Sequence, residues 1–274
     1  MSSLTTATLA ALEEMLQNAT CNLPHGGIPV HLDSQGVGYL VAEFVPLVLE
    51  SIREKPIAHI HGSASGLTLE RVAPALLSSS LRELAQRMRS AGLIPAWRNE
   101  EFAYYGNDGH EYFRVERAAF RSFGFQSQAA HINGFTSAGT LWLGRRSESK
   151  QIDPGKLDNL SAGGISANET VVHCAVRELW EEAGVPEAIA QKITPAGKLI
   201  LLRPHPPHGV HHESLFIFDL ELPTNLIPVN HDGEVSSFIE LDLAEAAARI
   251  LADEFTGDAA LVTADFILRR NRFR

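Results

Sequence analysis

The stretch "GGISANETVVHCAVRELWEEAGV", residues 163–185, constrains this chain more than any other. Its apolar residues recur at helical spacing. Val172, Val176, Leu179 and Ala183 form a stripe, which predicts a helix over about 168–183 docked on a sheet. Glu178, Glu181 and Glu182 then converge, because residues three and four apart on a helix lie roughly 5–6 Å apart at Cβ. Like charges placed so cost ~0.2–0.5 kcal/mol per pair. Arg177 is the sole Lys or Arg between residues 157 and 191 to offset them. Converging carboxylates beside a pair of glycines suit a hard divalent cation, which takes oxygen ligands and, for magnesium, waters and phosphate oxygens as well. Helical spacing alone equally describes an acidic face turned to solvent. The surrounding pattern separates the two readings.

Gly163 is followed after five residues by Glu169, and after seven more by "RELWEEAGV". This matches G-x5-E-x7-R-E-U-x-E-E-x-G-U, with U an aliphatic residue, at every fixed position, and the chain resembles a Nudix hydrolase. The resemblance implies Glu178, Glu181 and Glu182 as ligands of Mg2+, with Mn2+ as a substitute, and Arg177 beside them in the catalytic set. It implies structural roles for the rest of the box: Gly163 and Gly164 to let the loop turn and approach the ion, Glu169 paired with Arg177, and Gly184 as helix C-cap. Asn168 stands where many members have glycine, and asparagine tolerates left-handed backbone and can cap a helix. The implied reaction is attack of water on a phosphorus of a diphosphate, with Glu178, Glu213 and Glu234 as candidate proton acceptors.

The rest of the chain frames this unit. "AAHINGF" and "TLWLGRR" precede the box as strands; "ITPAGKLILL", "SLFIFDLEL" and "EVSSFIEL" follow it, and helices at "AEAAARILAD" and "GDAALVTADFILRR" close the chain. This predicts an α+β fold, a sheet with helices on both faces. With the resemblance it becomes a Nudix α/β/α sandwich with a mixed sheet over 119–274, preceded by a smaller α+β domain over 1–118. In that first part "SSSLRELAQRMRSA" predicts a helix with a serine N-cap and Gly92 as its stop, and "EFAYYGNDGHEYFRVER" a hairpin. The N-terminal segment reads as a first structural helix on Leu4, Leu9, Leu12 and Leu16 rather than a leader. A formal charge of -10 argues against nucleic acid or an anionic membrane as partner. No apolar run approaches a membrane span, and Cys21 and Cys174 suggest neither a disulfide nor zinc. The cytoplasm is the default location; a homodimer is left open.

The flanks "FGFQSQAAHINGF", "LWLGRRSESKQIDPGKLDNLSAGGI" and "LFIFDLELP…NHDGEVSSF" narrow the resemblance to Nudix proteins associated with thiamin pyrophosphokinase. That branch implies a small-molecule diphosphate substrate, thiamin diphosphate or its oxidised analogues, cleaved to monophosphate and phosphate. Arg145, Arg146, Lys150 and Lys156 are candidate phosphate contacts or solvated loop charges; His131, Asn133 and Glu234 are further candidates for the site. Phe135 and Trp142 read as core, and Trp180 as a packing residue against the other domain or a second subunit. Cys174 reads as a small residue under the site. "RPHPPHGVHH", with His205, His208, His211 and His212, offers a metal cluster as one reading and a mobile loop over the pocket mouth as the favoured one, since its prolines oppose a regular ligand scaffold. Three alternatives stand beside this. One is a broader hydrolase of the ADP-ribose or NADH type. The second is an isopentenyl diphosphate isomerase-like enzyme, disfavoured because "KLDNLSAGG" has no cysteine; the third is a non-catalytic Nudix module, disfavoured because every box glutamate is present.

Overall fold

Seven strands in one sheet carry the box, and helices cover both of its faces, in a computed structural model that describes residues 4–23, 25–150 and 152–272. In chain order the elements are α1 (Thr6–Gln17), β1 (Ile28–Leu32), β2 (Gln35–Leu40), α2 (Val45–Glu54), β3 (Ile60–Ser63), β4 (Gly66–Leu69), α3 (Pro74–Ser90), β5 (Glu101–Tyr105), β6 (Glu111–Glu116), α4 (Arg117–Phe123), β7 (Ser127–Phe135) and β8 (Leu141–Arg146). They continue with β9 (Leu157–Asp158), β10 (Ser161–Gly164), α5 (Val171–Ala183), α6 (Glu187–Ala190), β11 (Thr194–Pro204), β12 (Val210–Glu221), β13 (Val235–Leu241), α7 (Leu243–Leu251) and α8 (Gly257–Arg272). The large sheet runs β11-β12-β7-β8-β13, with β10 added on β7 and β9 on β8. It is mixed, since β12 pairs β7 in parallel and the other pairings are antiparallel.

Alternation along β7 assigns the two faces. Ala130 and Ile132 pack with Leu179 and Ala183 of α5, while Ala129 packs with Val262 of α8. A further cluster on the α8 side joins α7 and α8 to Leu141, Leu241 and Leu12 of α1. The N-terminal part has its own core. A sheet of order β2-β1-β4-β3 packs with α2 and α3 and with the aromatic group Phe113, Phe120, Phe123 and Phe125. Among the described residues no helix is long and apolar enough to cross a membrane.

Three local expectations need correcting. The helix predicted from a serine cap starts a turn earlier, with Pro74 in its first turn, because proline's fixed φ and missing N–H suit that position. Ser78 and Ser80 lie inside it and donate back to Pro74 O and Leu76 O. On α5, Val172 is exposed, and the buried face comprises Cys174, Ala175, Leu179, Glu182 and Ala183. The helix is rotated so that two of its glutamates lie at the edge of the buried face. "RPHPPHGVHH" is the tip of the long β11–β12 hairpin rather than a loose loop, with Pro204 paired to Val210 and Arg203 to His211.

Candidate active site

The acidic helix is held at both ends by its own sequence. Thr170 caps α5 by accepting from His173 N (3.2 Å), Asn168 before it takes φ +72°, and Gly184 takes φ +62° in the left-handed conformation that ends the helix. Thr170, not Asn168, supplies the cap. Gly163 and Gly164 lie in β10, paired with Ala130 and Ala129, and neither has a positive φ. They serve close approach rather than turning. A Cβ on Gly163 would sit 1.9 Å from Glu178 Oε1, and one on Gly164 would sit 2.5 Å from Phe102 Cζ. Glycine lets β10 lie directly over the glutamate.

The cation that offsets the acidic cluster within the chain is Arg177. Its Nε and Nη2 donate to the two oxygens of Glu169 (2.9 and 3.1 Å), and its Nη1 donates to both Glu178 and Glu181 (2.8 Å each). Glu169 is thereby held below the usual carboxylate range despite its burial. Glu178 is pushed up to about 7, mainly by burial and in spite of Arg177. Glu182 is buried, accepts from Ala162 N (2.9 Å), and is raised well above its ordinary value by burial and by the neighbouring Glu178. Glu181 is different: its side chain is 42% exposed and turned to Arg177. Cys174 is buried beneath the site, its Sγ 3.6 Å from Gly163 O and Gly164 O, and burial pushes its thiol far up.

Oxygens of Glu182, Asp232 and Glu234 lie within 4.8 Å of one another, with Lys150 paired to Glu234. Carboxylates raised by burial, and less by one another, with oxygen atoms gathered together, fit a divalent hard cation: its charge would offset both effects at Glu178 and Glu182.

These groups line one cleft of about 540 Å³. Lys150, Arg146, His131 and Glu234 line it, as does Glu213. Arg145 and Lys156 do not, contrary to what the sequence suggests: Arg145 donates to Gly155 O (2.6 Å), and Lys156 is paired with Asp253 (3.1 Å). Arg146 is also engaged, with Asp158 (2.9 Å) and Ile152 O (3.1 Å). Asn133 is buried behind the cleft, donating to Asp219 (3.0 Å). Phe135 packs on Phe266 and Trp142 against the α5-side cluster, both as core. Trp180 is 52% exposed and meets His231 edge-on at 4.6 Å rather than packing on the N-terminal part.

The sequence gives no sign of the opposite wall. Arg98 and Arg117 of the N-terminal part and Arg121 of α4, just past its end, line the cleft together with Phe102 and Phe120. Arg117 is paired with Glu100 (3.0 Å) and lies over Phe102; Arg121 donates to His205 Nε2 (3.3 Å). Arg98 donates its backbone N–H to Glu116 (3.0 Å), and among the described residues no carboxylate pairs with its guanidinium. Glu100 also accepts from Ser166 Oγ, and Ala167 N donates to Glu101 O, so the chain entering β5 is strapped to the loop after β10. Single arginines in an otherwise unpatterned segment carry no local signal; only the tertiary fold brings them here.

Comparison with known proteins places this geometry. The model of the NUDIX domain matches residues 126–265. "Nudix hydrolase 24, chloroplastic" of Arabidopsis thaliana is 31% identical over 252 residues, covering 90% of this chain and 68% of that protein. "Nudix hydrolase 20, chloroplastic" of the same plant is 31% identical over 259 residues, covering 90% and 69%. Among solved structures, that of DR0079 from Deinococcus radiodurans superposes with a TM-score of 0.50 at 23% identity, over 64% of this chain and all of that one, a likeness of fold.

Proposed function

The chain belongs to the Nudix family, and from that premise we propose that its cleft hydrolyses thiamin diphosphate or an oxidised analogue to the monophosphate and inorganic phosphate. Hydrolysis of a diphosphate linkage in a small molecule is the activity of the family. The finer reading concerns the substrate, the ion and the residues.

The observation that carries the catalytic assignment is the pair Glu178, beneath Gly163 and tied through Arg177 to Glu169, and buried Glu182, held by Ala162 N. Glu178, Glu181 and Glu182 would hold Mg2+, or Mn2+ in its place, with Arg177 orienting them. When bound, the ion supplies charge neutralisation at the phosphate oxygens and acidifies the attacking water. Lys150, beside Glu234, and Arg98 line the cleft and would hold phosphate oxygens. Water attacks the terminal phosphorus, a P–O bond forms, and the anhydride P–O bond breaks with its electron pair leaving on the monophosphate. Glu234 takes the water's proton. Its oxygens stand beside those of Glu182 and Asp232, and Lys150 keeps it ionised, below the usual carboxylate range. Glu213 faces the other end of the cleft, with Ser127 and His211.

Two rivals lose support from the geometry. Phe102 and Phe120 are buried and stand edge to face (5.7 Å, 73°), so they form no parallel slot for an adenine ring. The one thiol near the site, Cys174, is buried under β10 with its pKa driven up, which does not suit isomerase chemistry. The deciding experiment is phosphate release from thiamin diphosphate, its oxidised forms, ADP-ribose and NADH in magnesium, ranked by kcat/KM. Thiamin compounds are expected to lead; ADP-ribose or NADH leading overturns the substrate assignment.

A further inference from the structure

The cleft has a second lobe on the α8 side of the sheet, and its floor contains a histidine whose tautomer is fixed by a chain of hydrogen bonds. Ser127, Ala129 and His131 alternate onto the face of β7 that packs with Val262 of α8, and Glu213 of β12 lies opposite Ser127. The box glutamates belong to the other face, beneath Gly163.

The chain of hydrogen bonds begins at an ion pair. Arg269 donates to both oxygens of Asp219 (2.6 and 3.0 Å). A carboxylate accepts only, so Asn133 must turn Nδ2 toward Asp219 (3.0 Å), which leaves its Oδ1 for Asn159. Asn159 accordingly presents Nδ2, to Asn133 Oδ1 (3.3 Å) and to Thr263 Oγ1 (3.0 Å). Its Oδ1 is then the atom facing His131 Nδ1 at 2.9 Å, so Nδ1 carries the proton and donates. Nε2 is left with a bare lone pair. His131 is 4% exposed and lines the cleft; Nε2 has no hydrogen-bond partner among the described residues and is not sealed away from the cleft. A nearly buried acceptor of fixed orientation, with only the small Ala129 between it and the Ser127–Glu213 end, has room for a ligand and needs an N–H donor.

We propose that His131 Nε2 is a specificity-determining acceptor, reading an amino group on the organic half of the substrate while the diphosphate lies in the glutamate lobe. Resting on the thiamin reading, this assigns the contact to the amine of the aminopyrimidine ring. Asn159, Asn133 and Asp219 act through His131 as positioning residues.

The test uses the full chain with 15N-labelled histidine, the His131 signals being identified by their loss in His131→Gln. In the neutral ring a protonated Nδ1 and a bare Nε2 are expected; a neutral ring protonated at Nε2 overturns the proposal. Thiamin monophosphate should shift the Nε2 resonance, and neither its 4′-desamino analogue nor inorganic phosphate should. No shift with thiamin monophosphate, or an equal shift with all three, also overturns it. His131→Phe should raise KM for thiamin diphosphate about three- to tenfold with kcat little changed, and should erase any preference over the desamino diphosphate. A preference that survives the substitution overturns the proposal. Failure of the thiamin reading is seen separately, as absence of phosphate release from the unsubstituted protein.

Discussion

Glu182 holds an awkward place for an acid: 7% exposed, one turn from Glu178, its side chain bonded among the described residues only to the backbone amide of Ala162. Glutamine keeps an acceptor for Ala162 N and removes the buried charge. Glu182→Gln is therefore expected to cut magnesium-dependent turnover ~100-fold or more, the several kcal/mol an ion ligand controls, while the melting temperature holds or rises. Unfolding, or full turnover, would count against the ligand assignment. Glu178 gives a pH signature. Its carboxyl is raised from 4.5 to about 7, so the folded chain retains a proton that the unfolded chain has released. The contribution of Glu178 to stability without divalent ions should then fall as pH rises from about 4.5 to 7, the unfolded state binding fewer protons throughout that window. Thermal melts across this range check it: Glu178→Gln should show a shallower fall than the unsubstituted chain, the remainder belonging to Glu182, and magnesium should restore stability at the upper end. Glu213 has the opposite sign. Its carboxylate is held at about 2, with His211 and Ser127 outweighing burial, so its contribution is present above 4.5 and lost as pH falls toward 2.

At the scale of the element, β10 and α5 form one unit, and the sequence shows why its halves were unequally readable. The C-cap at Gly184 and the left-handed Asn168 follow from residue type, so they were legible. The rotation of α5 was not. Val172 fits the apolar stripe, yet burying Glu178 and Glu182 at the edge of the packed face turns Val172 outward to 53% exposure. Periodicity assumes carboxylates face solvent, and a metal site breaks that assumption. The close pass of β10 can be tested directly. Gly163→Ala places a methyl where Glu178 Oε1 now lies, so it should displace that carboxylate and weaken magnesium activation of turnover while the strand pairing survives. Gly164→Ala presses instead on Phe102, fixed in the N-terminal core, and should cost ~1–3 kcal/mol of stability. Magnesium titration of activity and chemical denaturation separate the two outcomes. Equal effects of both substitutions would mean that β10 is generally crowded, not fitted to Glu178.

Across the whole molecule, local pattern shows the strands and helices but not which distant segments meet. Arg98, Arg117 and Arg121 reach the cleft because the chain entering β5 is bonded to the loop after β10 and α4 stands against β12, contacts no periodicity encodes. We propose residue 118/119 as the division between the two parts of the chain; α4 spans it and carries Phe120 and Phe123 into the N-terminal core, while α1 crosses the other way. Leu12 is fully buried in the cluster of α7 and α8, Leu9 and Leu16 pack beside it, and Arg272 of α8 approaches Glu13 (3.9 Å). A fragment of residues 119–274 would thus expose the face of α8 that α1 covers. It is expected to melt well below the full chain and to bind a hydrophobic dye. Leu12→Ala isolates the packing from the loss of the N-terminal wall: a buried leucine cut to alanine costs about 2–5 kcal/mol, and this one lies on cores away from the cleft. Its denaturation midpoint should drop accordingly while kcat/KM at low temperature stays near that of the unsubstituted chain. Were the fragment as stable as the whole, or Leu12→Ala without effect, α1 would be an ornament on the second part rather than a piece of its core.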